Sequence, residues 1–288
     1  MRKAGYMVGE NIKMVAMDLD GTLLMDDKSI LPHTLEVLQK AAEQGTIIVI
    51  ATGRPFFGVP EILLDFPGIN YVMTSNGARV IDLRDGSTII NRPLLREKAL
   101  KALEIAAKYD TLQEVYYDGQ GYAEKEKMKN VKIYHKNPNM WEYFLSTRKG
   151  VDNLLEFARA SDKDMDKMQI LFADLKDRET VWSELKGIEG LTIADSLGYN
   201  LEITEEGTDK GLILLELGEK LGIRREEIMA CGDGENDVCM IKNAGFGVAM
   251  ANARESVIKA ADYVTTSNEE QGVAKVIEEF VLRGGKKC

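Results

Sequence analysis

Two carboxylates, Asp18 and Asp20, stand two residues apart in Asp18-Leu19-Asp20-Gly21-Thr22, directly after the apolar run Met14 to Met17. In extended chain, residues i and i+2 point to the same side. Two acids so placed repel each other unless a cation lies between them or one keeps its proton. A magnesium ion takes oxygen ligands and would hold such a pair. One carboxylate can attack phosphorus, while the other protonates a leaving oxygen and then deprotonates a water. Alone, the tetrapeptide reads as a polar turn after a strand, so the case depends on partners elsewhere in the chain.

Four such partners follow. Thr52-Gly53-Arg54 offers a hydroxyl and free amides for an anion, or an ordinary N-cap for a helix from Pro55 to Asp65. Asn76-Gly77 is a tight turn that can present a side-chain amide. Lys210 lies at a helix start, where its charge opposes the helix dipole unless an anion is near. Neutralising a transferring phosphoryl group would give it a reason to be there. Gly232-Asp233-Gly234-Glu235-Asn236-Asp237 packs three acids and an amide into six residues, a hard-cation site that lacks the ligand spacing of an EF-hand.

The elements around these clusters are buried strands and helices in alternation. Met14–Met17, Ile47–Ala51, Tyr71–Thr74, Ile228–Cys231, Gly247–Met250 and Tyr263–Thr265 read as short strands. Helices are expected at Pro32–Gln44, Phe56–Asp65, Asp209–Leu221 and Gly272–Leu282. This order predicts a doubly wound parallel α/β sheet. The ends of its strands would bring Asp18, Thr52, Asn76 and Asp233 to one crevice. Between them the texture changes to alternating and amphipathic segments, with helices at Leu94–Tyr109, Val151–Ala160 and Asp177–Lys186. The expected division is a discontinuous core of residues 8–84 and 198–288, with an α+β insertion over 85–197. Hinges are expected at Asn91-Arg92-Pro93 and Ser196-Leu197-Gly198.

Composition narrows the function. The formal charge of −10 argues against non-specific nucleic-acid binding, and any phosphate site must be made locally positive. Ile47–Ala51 is far too short to span a bilayer, and the N-terminal segment has no apolar signal region, so no membrane partner is expected. Cys231, Cys239 and Cys288 have no metal-ligand spacing and suit a reducing cytoplasm. His33 and His135 are the only histidines, which excludes a sequence-level case for a Ser-His-Asp triad or a zinc site.

Taken in order, Asp18-Leu-Asp20-Gly-Thr-Leu-Leu, Thr52-Gly-Arg, Lys210 and Gly-Asp233-Gly-Glu-Asn236-Asp237 resemble the four motifs of the haloacid dehalogenase superfamily. Asn76-Gly-Ala, Asn243-Ala-Gly, Gly247-Val-Ala-Met-Ala-Asn252-Ala, Ala261-Asp-Tyr-Val-Thr and Gly272-Val-Ala resemble its Cof-type branch, whose cap is type IIB. The resemblance runs from Lys13 to Phe280 and is weakest in the insertion. It implies a Rossmann-like core with a mobile cap, and a magnesium-dependent phosphatase acting on a small phosphate ester through a phospho-aspartate. Asp18 would be the nucleophile and a metal ligand. Asp20 would be the general acid/base, with its backbone carbonyl on the metal. Thr52 and the amides of Leu19 and Gly53 would hold phosphate, with Asn236 contacting it and Asn252 touching phosphate or substrate. Lys210 would orient Asp18, Asp233 would ligate magnesium, and Asp237 would support Lys210 or a metal-bound water.

A phosphomutase would use the same motifs. A phospho-accepting signalling module would use similar acids and a lysine, but Asp20 can activate water and the large insertion can enclose a substrate. Within the insertion, Tyr122, His135, Trp141 and Arg148 are the candidates for substrate contact.

Overall fold

The computed structural model describes residues 11–282. The start of the expected core at residue 8, the rest of the N-terminal arm before residue 11 and the tail from Arg283 to Cys288 lie outside them. The larger of two sheets has eight strands. In space they run Tyr263–Val264, Phe246–Ala249, Ile228–Gly232, Met14–Met17, Ile47–Ala51, Tyr71–Thr74, Arg79–Asp82 and Thr88–Asn91. The first six are mutually parallel, and the last two add antiparallel.

Both faces of this sheet are covered, which is why its strands are continuously apolar. Val15 and Met17 pack on the side of the Pro32–Glu43 and Gly272–Ile277 helices. Met14 and Ala16 pack on the side of the Lys210–Lys220 and Val238–Asn243 helices. The chain winds outward from Met14–Met17 in one direction, then returns to its other side through Ile228–Gly232. The sheet therefore reverses its strand order between these two neighbours, where ligands bind in open α/β sheets.

The smaller sheet has six strands in the order Leu191–Ala194, Asn200–Glu205, Lys167–Phe172, Thr111–Tyr117, Gln120–Glu124 and Arg148–Val151. It is antiparallel except for its last pair. The Arg96–Ala106, Leu154–Ala160 and Leu175–Leu185 helices cover one face, burying Val115, Met168, Ile170, Leu201 and Ile203.

The chain changes sheets later than expected at both ends. Thr88–Asn91, assigned to the insertion, pairs in the larger sheet. Asn200–Glu205, assigned to the core segment from 198, pairs with both neighbours in the smaller one. The helix expected over Phe56–Asp65 is also corrected. A 3₁₀ turn at Phe56–Gly58 is followed by a separate turn of helix at Glu61–Leu64. Pro60 is the reason: it cannot donate, and it holds Val59 extended at φ −79°, ψ 135°. The expected helix over Val151–Ala160 starts at Leu154, capped by Asn153. Gly272–Leu282 is α-helical only to Ile277 and closes in a π turn.

Gly211 lets the Lys210–Lys220 helix approach its neighbour. A Cβ there would lie 2.5 Å from the Cys239 carbonyl carbon and oxygen. Gly211→Ala should therefore push these helices apart and lower stability by about 1–3 kcal/mol. Urea denaturation measures this. An unchanged midpoint would show that the packing does not constrain the helix that carries Lys210.

Candidate active site

Four strand ends of the larger sheet deliver the polar clusters to one place. Asp18 follows the central strand, Asp233 follows its neighbour Ile228–Gly232, Thr52 follows Ile47–Ala51, and Asn76 is in the turn after Tyr71–Thr74. A cavity of about 310 Å³ lies over them. Asp18, Asp20, Thr52, Gly53, Asp233, Asn236 and Asn252 line it from the larger sheet, and residues of the smaller sheet close it from the other side.

Lys210 is fully buried and bridges two carboxylates. Its Nζ donates to Asp18 Oδ1 at 2.6 Å and to Asp237 Oδ1 at 2.7 Å. Burial disfavours its charge, but Asp18 and Asp237 outweigh that and raise its pKa above the ordinary value. The helix start remains intact because Asp209 caps it, accepting from the Gly211 and Leu212 amides. The conflict between a lysine and a helix N-terminus is thus resolved by two anions.

Asp237 is used on both oxygens. Oδ2 accepts from the amides of Asp233 at 3.0 Å and Gly234 at 2.9 Å. Thr22 donates to Asp233 Oδ1 at 2.7 Å. Gly21 has φ 83°, and a Cβ there would collide with the Asp233 carboxylate. The glycine turn therefore leaves room for that acid.

One oxygen each from Asp18, Asp233 and Asp237 lies within 4.8 Å of the others. Burial first, and then neighbouring carboxylates, push Asp18 up to about 7 and Asp233 up to about 8. A cluster of oxygen donors that resist ionisation beside each other fits a divalent cation, which would stabilise all of them as anions. Because Asp237 is already occupied by Lys210 and two amides, the ligand oxygens with capacity to spare are those of Asp18 and Asp233.

The Asp20 carboxylate stands apart from this cluster. Arg54 grips it through Nε and Nη2, both at 2.7 Å, and Lys28 Nζ adds a third contact at 2.8 Å. Burial opposes its charge, but Arg54 and Lys28 overcome that and hold the carboxyl well below its usual range. Arg54 is itself fixed by Gly58 O at 2.8 Å and by the Tyr143 ring, whose centre is 4.1 Å away. Thr52 caps no helix; its hydroxyl accepts from the Arg54 amide at 3.1 Å. Among the described residues, the Leu19 and Gly53 amides make no hydrogen bond to the protein. Asn76 sits in a left-handed turn, Ser75 φ 51°, Asn76 φ 58° and Gly77 φ 101°. There its Oδ1 accepts from Asn236 Nδ2 at 3.1 Å and its Nδ2 donates to Glu202. Asn252 donates to Gly21 O at 2.8 Å.

The wall from the smaller sheet is built by strand alternation. Val115, Met168, Ile170, Leu201 and Ile203 face the helices, so Glu114, Tyr116, Lys167, Gln169 and Glu202 face the other way, and all five are buried. Lys167 Nζ reaches Glu202 at 2.9 Å and Gly53 O at 2.6 Å, tying this wall to the Thr52 loop. Of the four candidates in the insertion, His135 and Arg148 line the cavity. Tyr122 packs among Tyr117 and Phe157, and Trp141 donates to His135 O at 2.7 Å from a small apolar cluster. Arg54, Lys28, Glu114, Gln169 and Glu202 had been given no role from the sequence. The signal that could have found the last three is a strand whose polar alternate positions sit between long buried elements.

The chain matches the haloacid dehalogenase-like hydrolase family over residues 15–277. It is 32% identical to a 5-amino-6-(5-phospho-D-ribitylamino)uracil phosphatase of Bacillus subtilis, over 94% of this chain and 97% of that one. It is 28% identical to a pyridoxal phosphate phosphatase of Escherichia coli, over 94% and 99%. A solved subclass IIB sugar phosphatase of the same superfamily superposes with a TM-score of 0.78 at 28% identity, over 93% of this chain and 98% of that one.

The raised Asp18 and Asp233 values predict a pH signature. Both lie above their ordinary 3.8, so the folded chain holds protons that the unfolded chain releases. Their contribution to stability is full below pH 3.8 and is lost as pH rises through about 7 and 8. His135, lowered from 6.5 to about 4 by burial, acts oppositely, but only below pH 6.5. In chelator, the melting temperature should therefore rise as pH falls from about 9 to 6.5. Magnesium should flatten that slope by keeping both acids ionised. The same slope with and without magnesium would remove the cation from these carboxylates.

Proposed function

Because the chain belongs to the haloacid dehalogenase-like hydrolases and is a phosphatase, we propose that it hydrolyses a small phosphorylated metabolite, a sugar phosphate or a phosphorylated cofactor, through a phospho-aspartate at Asp18. The observation that carries this reading is Lys210, buried between Asp18 and Asp237 behind a cavity that Asp18, Asp20 and Asp233 line. Magnesium would be held by Asp18, Asp233 and the Asp20 backbone carbonyl, with Asp237 behind them, and would supply positive charge to the phosphoryl oxygens.

An oxygen of Asp18 attacks phosphorus while the bond from phosphorus to the leaving oxygen breaks. Asp20 gives that oxygen its proton. Asp20 then takes a proton from water as the water attacks the acyl phosphate, releasing inorganic phosphate and restoring Asp18. Lys210 keeps Asp18 oriented and offsets charge on the phosphoryl group. The unpaired Leu19 and Gly53 amides, the Thr52 hydroxyl and Asn236 supply donors to its oxygens. In the structure Asp20 is held as a carboxylate by Arg54 and Lys28, so it is set for the second step. Acting as an acid in the first requires that this grip loosen. Asp20 and the enclosing second sheet both favour turnover over a long-lived phospho-protein.

Phosphate release from small esters should need magnesium, stop in chelator and fall to background in Asp18→Asn. Asp20→Asn should slow the second step, so that mass spectrometry finds phosphate on Asp18. Release by Asp18→Asn at the wild-type rate would rule out the covalent route.

A further inference from the structure

The wall opposite the phosphate loops has a definite charge pattern. Glu114 is 1% exposed and lines the cavity, with Arg148 on its Oε2 at 2.5 Å and the Tyr116 hydroxyl on the same atom at 2.9 Å. Its other oxygen, Oε1, is buried and has no partner among the described residues. A buried carboxylate oxygen left unpaired is costly, so such an atom in a cavity wall points to a donor that arrives with the ligand.

Gln169 faces Glu114 directly across the sheet. Its Oε1 accepts from Lys167 at 3.5 Å and lies 3.4 Å from the Tyr116 oxygen, whose one proton goes to Glu114, and no acceptor for its amide nitrogen is found among the described residues. His135 lines the same cavity and binds the Tyr199 hydroxyl through Nδ1 at 2.9 Å, and its Nε2 has no partner among the described residues. Burial lowers its pKa to about 4, so it meets a ligand uncharged.

Among the described residues, every cation that lines the cavity is in an ion pair, and the six acids lining it outnumber the three cations. Arg148 is paired with Glu114, and Arg54 and Lys28 share Asp20. Behind the wall, Lys167 is paired with Glu202. A second phosphate or a carboxylate on the leaving group would therefore meet an excess of acids, Glu114 among them. Like charges brought together in a buried site repel strongly.

We propose that this wall reads an uncharged, hydroxyl-rich leaving group, that Glu114 Oε1 accepts a hydrogen bond from one of its hydroxyls, and that a leaving group with a second anionic end is rejected. This rests on the phosphatase reading and names the class of alcohol that the site takes. It also disfavours a mutase, whose bisphosphate would need a second cationic pocket.

The test compares kcat/KM, with magnesium, for glucitol 6-phosphate, 6-phosphogluconate, glucitol 1,6-bisphosphate and p-nitrophenyl phosphate. The first two differ only in a terminal alcohol against a carboxylate. Wild type should prefer glucitol 6-phosphate to the acid and to the bisphosphate by about tenfold or more. Glu114→Gln keeps the shape and removes the charge, so it should narrow the alcohol-to-acid ratio by about fivefold or more. Equal hydrolysis of all three sugar esters by wild type overturns the inference without any variant. So does an unchanged ratio in a Glu114→Gln protein that melts cooperatively. No hydrolysis even of the aryl ester would instead sink the phosphatase reading, and this one with it.

Discussion

Everything in the site depends on one ammonium group. Lys210 has no access to water, and a bare buried cation would carry a desolvation penalty of several kcal/mol. Asp18 and Asp237 repay it, and in doing so they fix the ends of two adjacent strands and the start of a helix relative to each other. Asp237 passes the constraint on, since its second oxygen binds the amides of Asp233 and Gly234 and so shapes the turn that presents Asp233. The reversal of strand order supplies the crevice, and the lysine sets which atoms face each other within it.

The second carboxylate of the first cluster is handled in a different way. Asp20 lies two residues from Asp18 yet belongs to a separate electrostatic unit with Arg54 and Lys28. Two acids that are neighbours in sequence are therefore driven in opposite directions, Asp18 upward by burial and Asp20 downward by two cations. Such divergence is what lets neighbouring carboxylates take different parts in one reaction.

The core was legible because its strands are short apolar runs that end abruptly in polar turns, as at Met17-Asp18 and Gly232-Asp233. The smaller sheet was less so. Asn200–Glu205 alternates cleanly, but Asn, Glu and Thr at its polar positions have weak or mixed strand preference, and only partners on both sides reveal it. Thr88–Asn91 is too short for its alternation to say which sheet it joins. In the site, the convergence of Asp18, Thr52 and Asp233 was readable because each stands directly after a short apolar run. Arg54 and Glu202 were not, because their roles come from distances across the fold: Arg54 is 34 residues from Asp20, and Glu202 is 126 from Asn76.

The contacts of Lys167 and Glu202 carry a consequence for traffic through the site. Lys167 holds the carbonyl of Gly53, and Glu202 holds the amide of Asn76, so two loops at the cavity floor are tethered to the wall that faces them. Both tethers are charge-assisted, hydrogen bonds of the stronger kind. Any separation of the two sheets would have to break both contacts. Such a movement would pull on the Gly53 and Asn76 loops, and so would couple departure of the spent alcohol to the geometry of the floor that receives the next ester.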